Sequence, residues 1–223
     1  MSKTEIPSGI EHLEWISSIA AFNASKSGDI VADQRDLQVI GTSLSVFYQA
    51  ATCHRKCYGG GHLLERLVGR IYNLSCAAYL LTTLGFYDES LSLIRIIGEI
   101  SNLITLSIHD PEAIKEWISS DETTRHKKFS PVKVRMRIEE KGGILLANQD
   151  WYSNISNNYI HATPNTQPNM HNKEGISAAG GLIQEEGVEK VIRNLAYITG
   201  PTALIVCAYF KFDDLLQELK MFY

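Results

Sequence analysis

Residues 62–109 read HLLERLVGRIYNLSCAAYLLTTLGFYDESLSLIRIIGEISNLITLSIH, and this stretch decides the fold. Apolar side chains recur every three or four residues through both halves, which is the helical period. From Leu74 to Leu81 they surround the chain on every side, so this part of the first helix belongs at the centre of a core. Gly85 suits the left-handed residue that ends a helix, and Asp88 with Glu89 suit the positive N-terminal end of the next one. The spacing predicts two long helices, 62–84 and about 88–109, joined by a tight glycine turn into an antiparallel hairpin.

The same period extends outward on both sides. Ile10, Leu13, Ile16, Ile19 and Ala20 share one face of a predicted helix over 10–24. Leu37, Ile40, Leu44, Phe47, Tyr48 and Ala51 do so over 34–56. Between that helix and the hairpin lies Tyr58-Gly59-Gly60-Gly61, a break, because each glycine costs a helix interior about 1 kcal/mol. After the hairpin, Pro111 opens a short helix over 112–118, since proline suits the first helical turn. Residues 119–130 are polar. Val132, Val134, Met136 and Ile138 then alternate with Lys133, Arg135 and Arg137, the period of a strand. A helix over 132–141 fits the length equally well and agrees with its neighbours. A further helix covers 149–161 and is ended by Pro164 and Pro168. Thr163 to Glu186 is rich in Pro, Asn and Gly, a loop of a size that is usually functional or mobile. A last helix over 188–210, kinked near Pro201, and a short amphipathic tail complete the chain. The expectation is one all-α domain, a helical bundle built on the central antiparallel hairpin, with a long loop after His161.

The 223 residues are 44% hydrophobic and 21% charged, with a net charge of −4. Those values exclude a disordered chain, a fibrous one and a uniformly basic nucleic-acid tail. A chain of this length buries roughly 70% of its unfolded surface, so its core needs neither disulfide nor metal to fold. No charged segment leads into an apolar run at the start, so no signal peptide is expected and the cytoplasm is the expected compartment. Cys53, Cys57, Cys76 and Cys207 read there as free thiols. The longest apolar run, 195–210, is interrupted by Thr199, Gly200 and Pro201 and falls short of the roughly 20 residues of a membrane span, so no membrane is expected.

Three constellations carry chemistry. Asp88, Ser92, Arg95, Glu99 and Asn102 form a polar stripe along an otherwise apolar helix. It is either a solvated face with an Arg95–Glu99 pair or, on a central helix, the wall of an enclosed polar pocket. In the helix over 149–161, Asp150, Asn154, Asn157 and His161 share one side, opposite Tyr152, Ile155 and Tyr159. His161 falls in the last turn, where the helix dipole favours an imidazolium suited to binding phosphate or protonating a leaving group; it is otherwise a C-terminal cap. The 13 residues from Arg125 to Arg137 hold six of the 21 Lys and Arg and none of the 25 Asp and Glu. Arg125, Lys127, Lys128, Lys133, Arg135 and Arg137 therefore make a +6 island on a remainder of −10. Such an island is either a solvated face or a docking place for RNA or an acidic protein.

Other signatures are weaker. Cys53-His54-x-x-Cys57 with His62 has zinc-type ligands but not the paired Cys-x-x-Cys spacing, so neither a metal nor a cofactor is expected. The chain has no Gly-rich phosphate loop, no Gly-x-Ser-x-Gly elbow and no His-Glu-x-x-His helix, which removes the common NTPase, hydrolase and zinc-protease readings.

Leu93-Ile-Arg95-Ile-Ile-Gly-Glu99 followed by Tyr152-x-x-x-Ser156-x-x-x-x-His161 near a proline resembles a bacterial family of all-helical proteins with an Arg-x-x-x-Glu helix before a Tyr, Ser and His segment. More distantly, residues 60–165 resemble the HEPN superfamily. That resemblance implies a helical bundle that dimerises and a metal-independent endoribonuclease or RNA-binding component of phage-defence, stress or toxin–antitoxin systems. It implies catalytic roles for His161 and Asn157, with Arg95 and Glu99 around them and the 125–137 island holding RNA. HEPN ribonucleases carry an Arg, a polar residue, three residues and a His. Here Asn157-x-x-x-His161 matches the second half, and Ser156 stands in place of the Arg. Arg95 and Arg125, on other helices, are the arginines that would supply the missing charge. The alternative is a non-catalytic interaction module with a degenerate site, docking an acidic partner through the same island.

Overall fold

The computed structural model describes residues 6–28, 33–57, 59–164 and 166–223. The polar start of the chain through residue 5, and Tyr58 of the expected break, lie outside the described residues. The helices are α1 (Ile10–Ser27), α2 (Gln34–Ala51), α3 (Leu63–Thr83), α4 (Tyr87–His109) and α5 (Pro111–Ser119). They continue with α6 (Glu122–Lys128), α7 (Pro131–Glu140), α8 (Gln149–Ile155), α9 (Glu185–Phe210) and α10 (Asp213–Lys220). A π-helical turn, Ser156–Ile160, prolongs α8. No strand occurs among the described residues, so the protein is all-α.

Three residues, Leu84 to Phe86, link α3 to α4, and the two helices pack against each other as the hairpin. Gly85 sits at φ 84°, and a Cβ there would meet the backbone of Leu182 at 2.6 Å. Both the left-handed geometry and that close approach require glycine. Helix α4 is central, packing on α3, α5, α7, α8, α9 and the π turn. Phe47, Ile71, Leu91, Ile94, Leu195 and Ile198 are fully buried where α2, α3, α4 and α9 meet, each worth about 1.5–3 kcal/mol of burial. A second, smaller cluster of Leu106, Ala113, Phe129, Val134 and Ile138 closes the C-terminal half of α4 under α5 and α7.

By length and composition alone, α4 and α9 could cross a membrane, with mean hydropathy 1.5 and 1.4 over their most apolar windows. Both windows are at least half buried inside the bundle, at 50% and 61%, which is how core helices behave.

The alternating segment is helical: in α7, Val134 and Ile138 are buried one turn apart while Val132 and Met136 stay exposed. Several expectations need correction. The second helix stops at Ala51 rather than Lys56, because Cys53 turns left-handed at φ 52°. The polar stretch 119–130 contains a helix, α6, whose N-cap Asp121 accepts from the Thr124 N–H at 2.7 Å. The apolar face of α1 is not covered: Ile10, Leu13 and Ile16 are exposed, and α1 is held instead by buried Asn23, whose amide donates to the Leu84 carbonyl at 2.9 Å. Helix α9 begins at Glu185, three residues before the expected start, and carries Pro201 inside it.

The loop after His161 is anchored rather than loose. His171 Nε2 donates to Asp88 Oδ1 at 2.7 Å, and the Asn169 N–H donates to Asp88 Oδ2 at 2.8 Å. Gln184 accepts from the His171 N–H at 2.8 Å and donates to the Asn169 carbonyl at 2.7 Å. The Tyr87 hydroxyl accepts from the Gln184 N–H at 2.9 Å. Asn169, His171 and Gln184 are all buried against the N-terminal end of α4.

Candidate functional site

The stripe on α4 divides: Asp88 holds the loop at its N-terminal end, while Glu99 and Asn102 line a pocket. The far end of the stripe, Asn102, is buried and holds the backbone of Ala147 in both directions: its amide donates to the Ala147 carbonyl at 2.8 Å, and its oxygen accepts from the Ala147 N–H at 3.1 Å. Asn148 then caps α8, accepting from the Trp151 N–H at 2.9 Å. Gly98 leaves room for the Trp151 ring, since a Cβ there would lie 2.6 Å from it. This laying of α8 on α4 puts the next residue, Tyr152, against Arg95 and Glu99.

The Tyr152 hydroxyl donates to Glu99 Oε1 at 3.0 Å and accepts from an Arg95 terminal nitrogen. Arg95 also pairs with Glu99 at 3.1 Å, and its Nε donates to Ser156 Oγ at 2.9 Å. The guanidinium carbons of Arg95 and Arg135 lie over the Tyr152 ring, 4.4 and 4.6 Å from its centroid. Burial, then the Glu99 charge, pushes the Tyr152 phenol above its ordinary pKa, so it remains a proton donor. Burial is likewise the largest influence on Arg135, lowering its pKa, with Tyr152 and Glu99 opposing. Arg135 is 4% exposed. An arginine so buried stays a cation, and a cation that deep requires compensation.

Beyond Tyr152 and Arg135 opens a cleft of about 550 Å³, within the ~300–1,000 Å³ range of ligand pockets. Glu99 and Asn102 line it from α4, Trp117 from α5, Arg125 and His126 from α6, and Phe129 and Arg135 close by. Among the described residues Arg135 makes one side-chain hydrogen bond, to Gln149, its guanidinium lies over the Tyr152 ring, and the residue lines the cleft. The lining is mixed, the guanidinium groups of Arg125 and Arg135 standing with the carboxylates of Glu99 and Glu122 beside the rings of Trp117, Phe129 and Tyr152.

The predicted site residues divide. Arg95 and Glu99 come together with Tyr152 and Ser156. Asn157 and His161 do not join them. The backbone widens at Ser156 into the π turn, in which the His161 N–H donates to the Ser156 carbonyl at 2.9 Å. That extra residue per turn breaks the expected shared side, and both side chains are exposed. His161 is the extended residue after the turn, not part of the last helical turn.

The basic island also divides. Arg125 and Arg135 line the cleft. Lys128 and Arg137 both pair with Glu116 of α5, at 2.5 and 2.9 Å, and hold it below the usual carboxylate range. Lys127 and Lys133 are exposed and lack ion pairs among the described residues. Tyr152 belongs to the quoted Tyr, Ser and His segment, but its helical position places it opposite Asn157 and His161, so sequence gives it no role; His171 is a lone histidine in a Pro and Asn-rich stretch, with no local signal of its distant partner Asp88.

Compared with protein-family models, with curated proteins and with solved structures, the chain matches none.

Proposed function

We propose that this protein is a HEPN-like RNA-binding bundle whose cleft between α4, α6, α7 and α8 takes a nucleotide of single-stranded RNA. The observation that carries this reading is Arg135, nearly enclosed yet turned toward a nucleotide-sized cleft beside Arg125, His126 and the rings of Trp117, Phe129 and Tyr152. Guanidinium groups match phosphate oxygens in a fork, and aromatic walls stack bases. Lys127 and Lys133, exposed on the flanks of the same helices, extend the positive track for a backbone. Arg95 is committed to Glu99, Tyr152 and Ser156, so it supports the cleft from behind rather than meeting a phosphate. The exposed positions of His161 and Asn157 outside this cleft favour binding over cleavage.

The test is titration of a fluorescein-labelled single-stranded RNA by anisotropy. Binding should weaken with salt and fall about tenfold in Arg135→Ala, the loss of roughly 1.5 kcal/mol expected for a charge-assisted contact. Arg125→Ala, at a half-buried position, gives the same sign if Arg135→Ala fails to fold. Wild type that ignores RNA at low salt but binds polyglutamate overturns the reading in favour of an acidic partner. RNA shortened by wild type and not by His161→Ala would make it an enzyme.

A further inference from the structure

Away from the cleft, the connector between α2 and α3 gathers three soft ligands that the sequence spacing did not pair. Cys53 Sγ lies 3.8 Å from His62 Nδ1, and Cys57 Sγ lies 3.9 Å from His62 Nε2. One ligand atom from each of the three residues fits within 4.8 Å of the others. Tetrahedral zinc, with bonds of about 2.3 Å to sulfur and 2.0 Å to nitrogen, sets sulfur and nitrogen about 3.6 Å apart. The two sulfurs approach different ring nitrogens: with Nδ1 facing Glu65, the ligating nitrogen is Nε2, which has Cys57 Sγ at 3.9 Å, and the Cys53 sulfur, now beside Nδ1, must shift toward it to complete the shell.

Two further observations point the same way. Cys53 and His62 both adopt left-handed backbone, at φ 52° and 50°. Non-glycine residues there cost of order 1 kcal/mol each and persist where something holds them, commonly a functional site. Glu65 is only 8% exposed, and its carboxylate meets His62 Nδ1 at 3.4 Å. A carboxylate on one ring nitrogen is the usual means of orienting a histidine whose other nitrogen binds metal.

We propose that Cys53, Cys57 and His62 form a zinc-class metal site, with His62 oriented by Glu65 and the fourth position taken by water. Two thiolates and an imidazole select zinc over magnesium or calcium. The ligands come from just after α2, from the middle of the connector and from the N-cap of α3, so the ion joins the ends of two core helices. On its other side the connector is already tied to α10, because Arg55 pairs with Asp214 and lies over the Phe212 ring. Cys57 is exposed and Cys53 and His62 are partly so, which leaves an entry path.

The test uses the full chain, reduced and freed of metal, titrated with Zn²⁺ against a chromophoric chelator and with Co²⁺ by absorption. One equivalent should bind, and Co²⁺ should show tetrahedral d–d bands with a thiolate charge-transfer band. Cys53→Ser and Cys57→Ser should each weaken that band and the affinity, the double variant should abolish both, Cys76→Ser should leave them, and Glu65→Gln should weaken binding about 10–100-fold. Any of three results overturns the proposal: no stoichiometric binding by reduced wild type, a Co²⁺ spectrum without the thiolate band, or a Cys53–Cys57 disulfide that persists in reducing buffer.

Discussion

Arg95 Nε donates to Ser156 Oγ at 2.9 Å, joining residues 61 positions apart in the chain. The bond fixes the start of the π turn to the centre of α4, with Tyr152 held between them by the same guanidinium. An arginine in this position is a structural clamp. Arg95→Ala should lower unfolding stability by about 1.5–3 kcal/mol, the range for hydrogen bonds to charged groups. Arg95→Lys should not restore it, because an ammonium lacks the fork that reaches Tyr152, Ser156 and Glu99 together. Urea unfolding of the three proteins measures this, and equal midpoints for Lys and wild type would contradict it.

Gly98 lets α8 lie close against α4. A methyl group there would press on Trp151 at 2.6 Å and on Ala147 at 2.9 Å. Gly98→Ala should cost about 1–3 kcal/mol through overpacking. It should also alter Trp151 fluorescence and near-ultraviolet circular dichroism while helix content stays the same. A variant with unchanged tryptophan signals would show that α8 does not rest on this glycine.

Asp88 holds the long loop. Asp88→Ala removes the acceptor of both the His171 ring and the Asn169 N–H, a loss of about 1–3 kcal/mol for partners left buried. Limited proteolysis should then cut between residues 163 and 184 much faster than in wild type. Equal cleavage rates would mean the loop is anchored by Gln184 and Tyr87 alone.

The cations of the island are unequal. Lys127→Ala with Lys133→Ala should reduce the salt dependence of RNA binding by about two phosphate contacts. Lys128→Ala should change it less, because Lys128 already neutralises Glu116. Similar slopes for all three would show that the Glu116 pairing opens in the complex.

Arg55 depresses the Asp214 carboxyl to about 2, below its ordinary 3.8, chiefly by hydrogen bonding. A depressed carboxyl stabilises the fold above its ordinary pKa and loses that contribution as pH falls toward the depressed value. The stability gap between wild type and Asp214→Asn should accordingly be full above about pH 4 and shrink toward pH 2. A gap that ignores pH across this window would place Arg55 elsewhere in solution.

The helices were legible because burying one face repeats every three to four residues, a local periodicity that survives in the order of side chains. That is why the two long helices 62–84 and 88–109 could be read from sequence, whereas 132–138 fitted strand and helix alike and the Arg95–Glu99 stripe fitted a solvated face as well as a pocket wall. The failures share a cause. Whether the apolar face of α1 is covered, whether Ser156 starts a π turn, and which cations Glu116 neutralises all depend on what lies across from them in space. Tyr152 sits in the site only because Asn102 and Gly98 seat α8 on α4. Cys53, Cys57 and His62 meet only because two left-handed residues turn the connector back on itself. Sequence by itself determined the all-α class and the central helix, since those follow from period and composition. The tertiary structure alone decided which polar residues meet, because hydrogen bonds and ion pairs act over about 3 Å between positions that the chain keeps tens of residues apart.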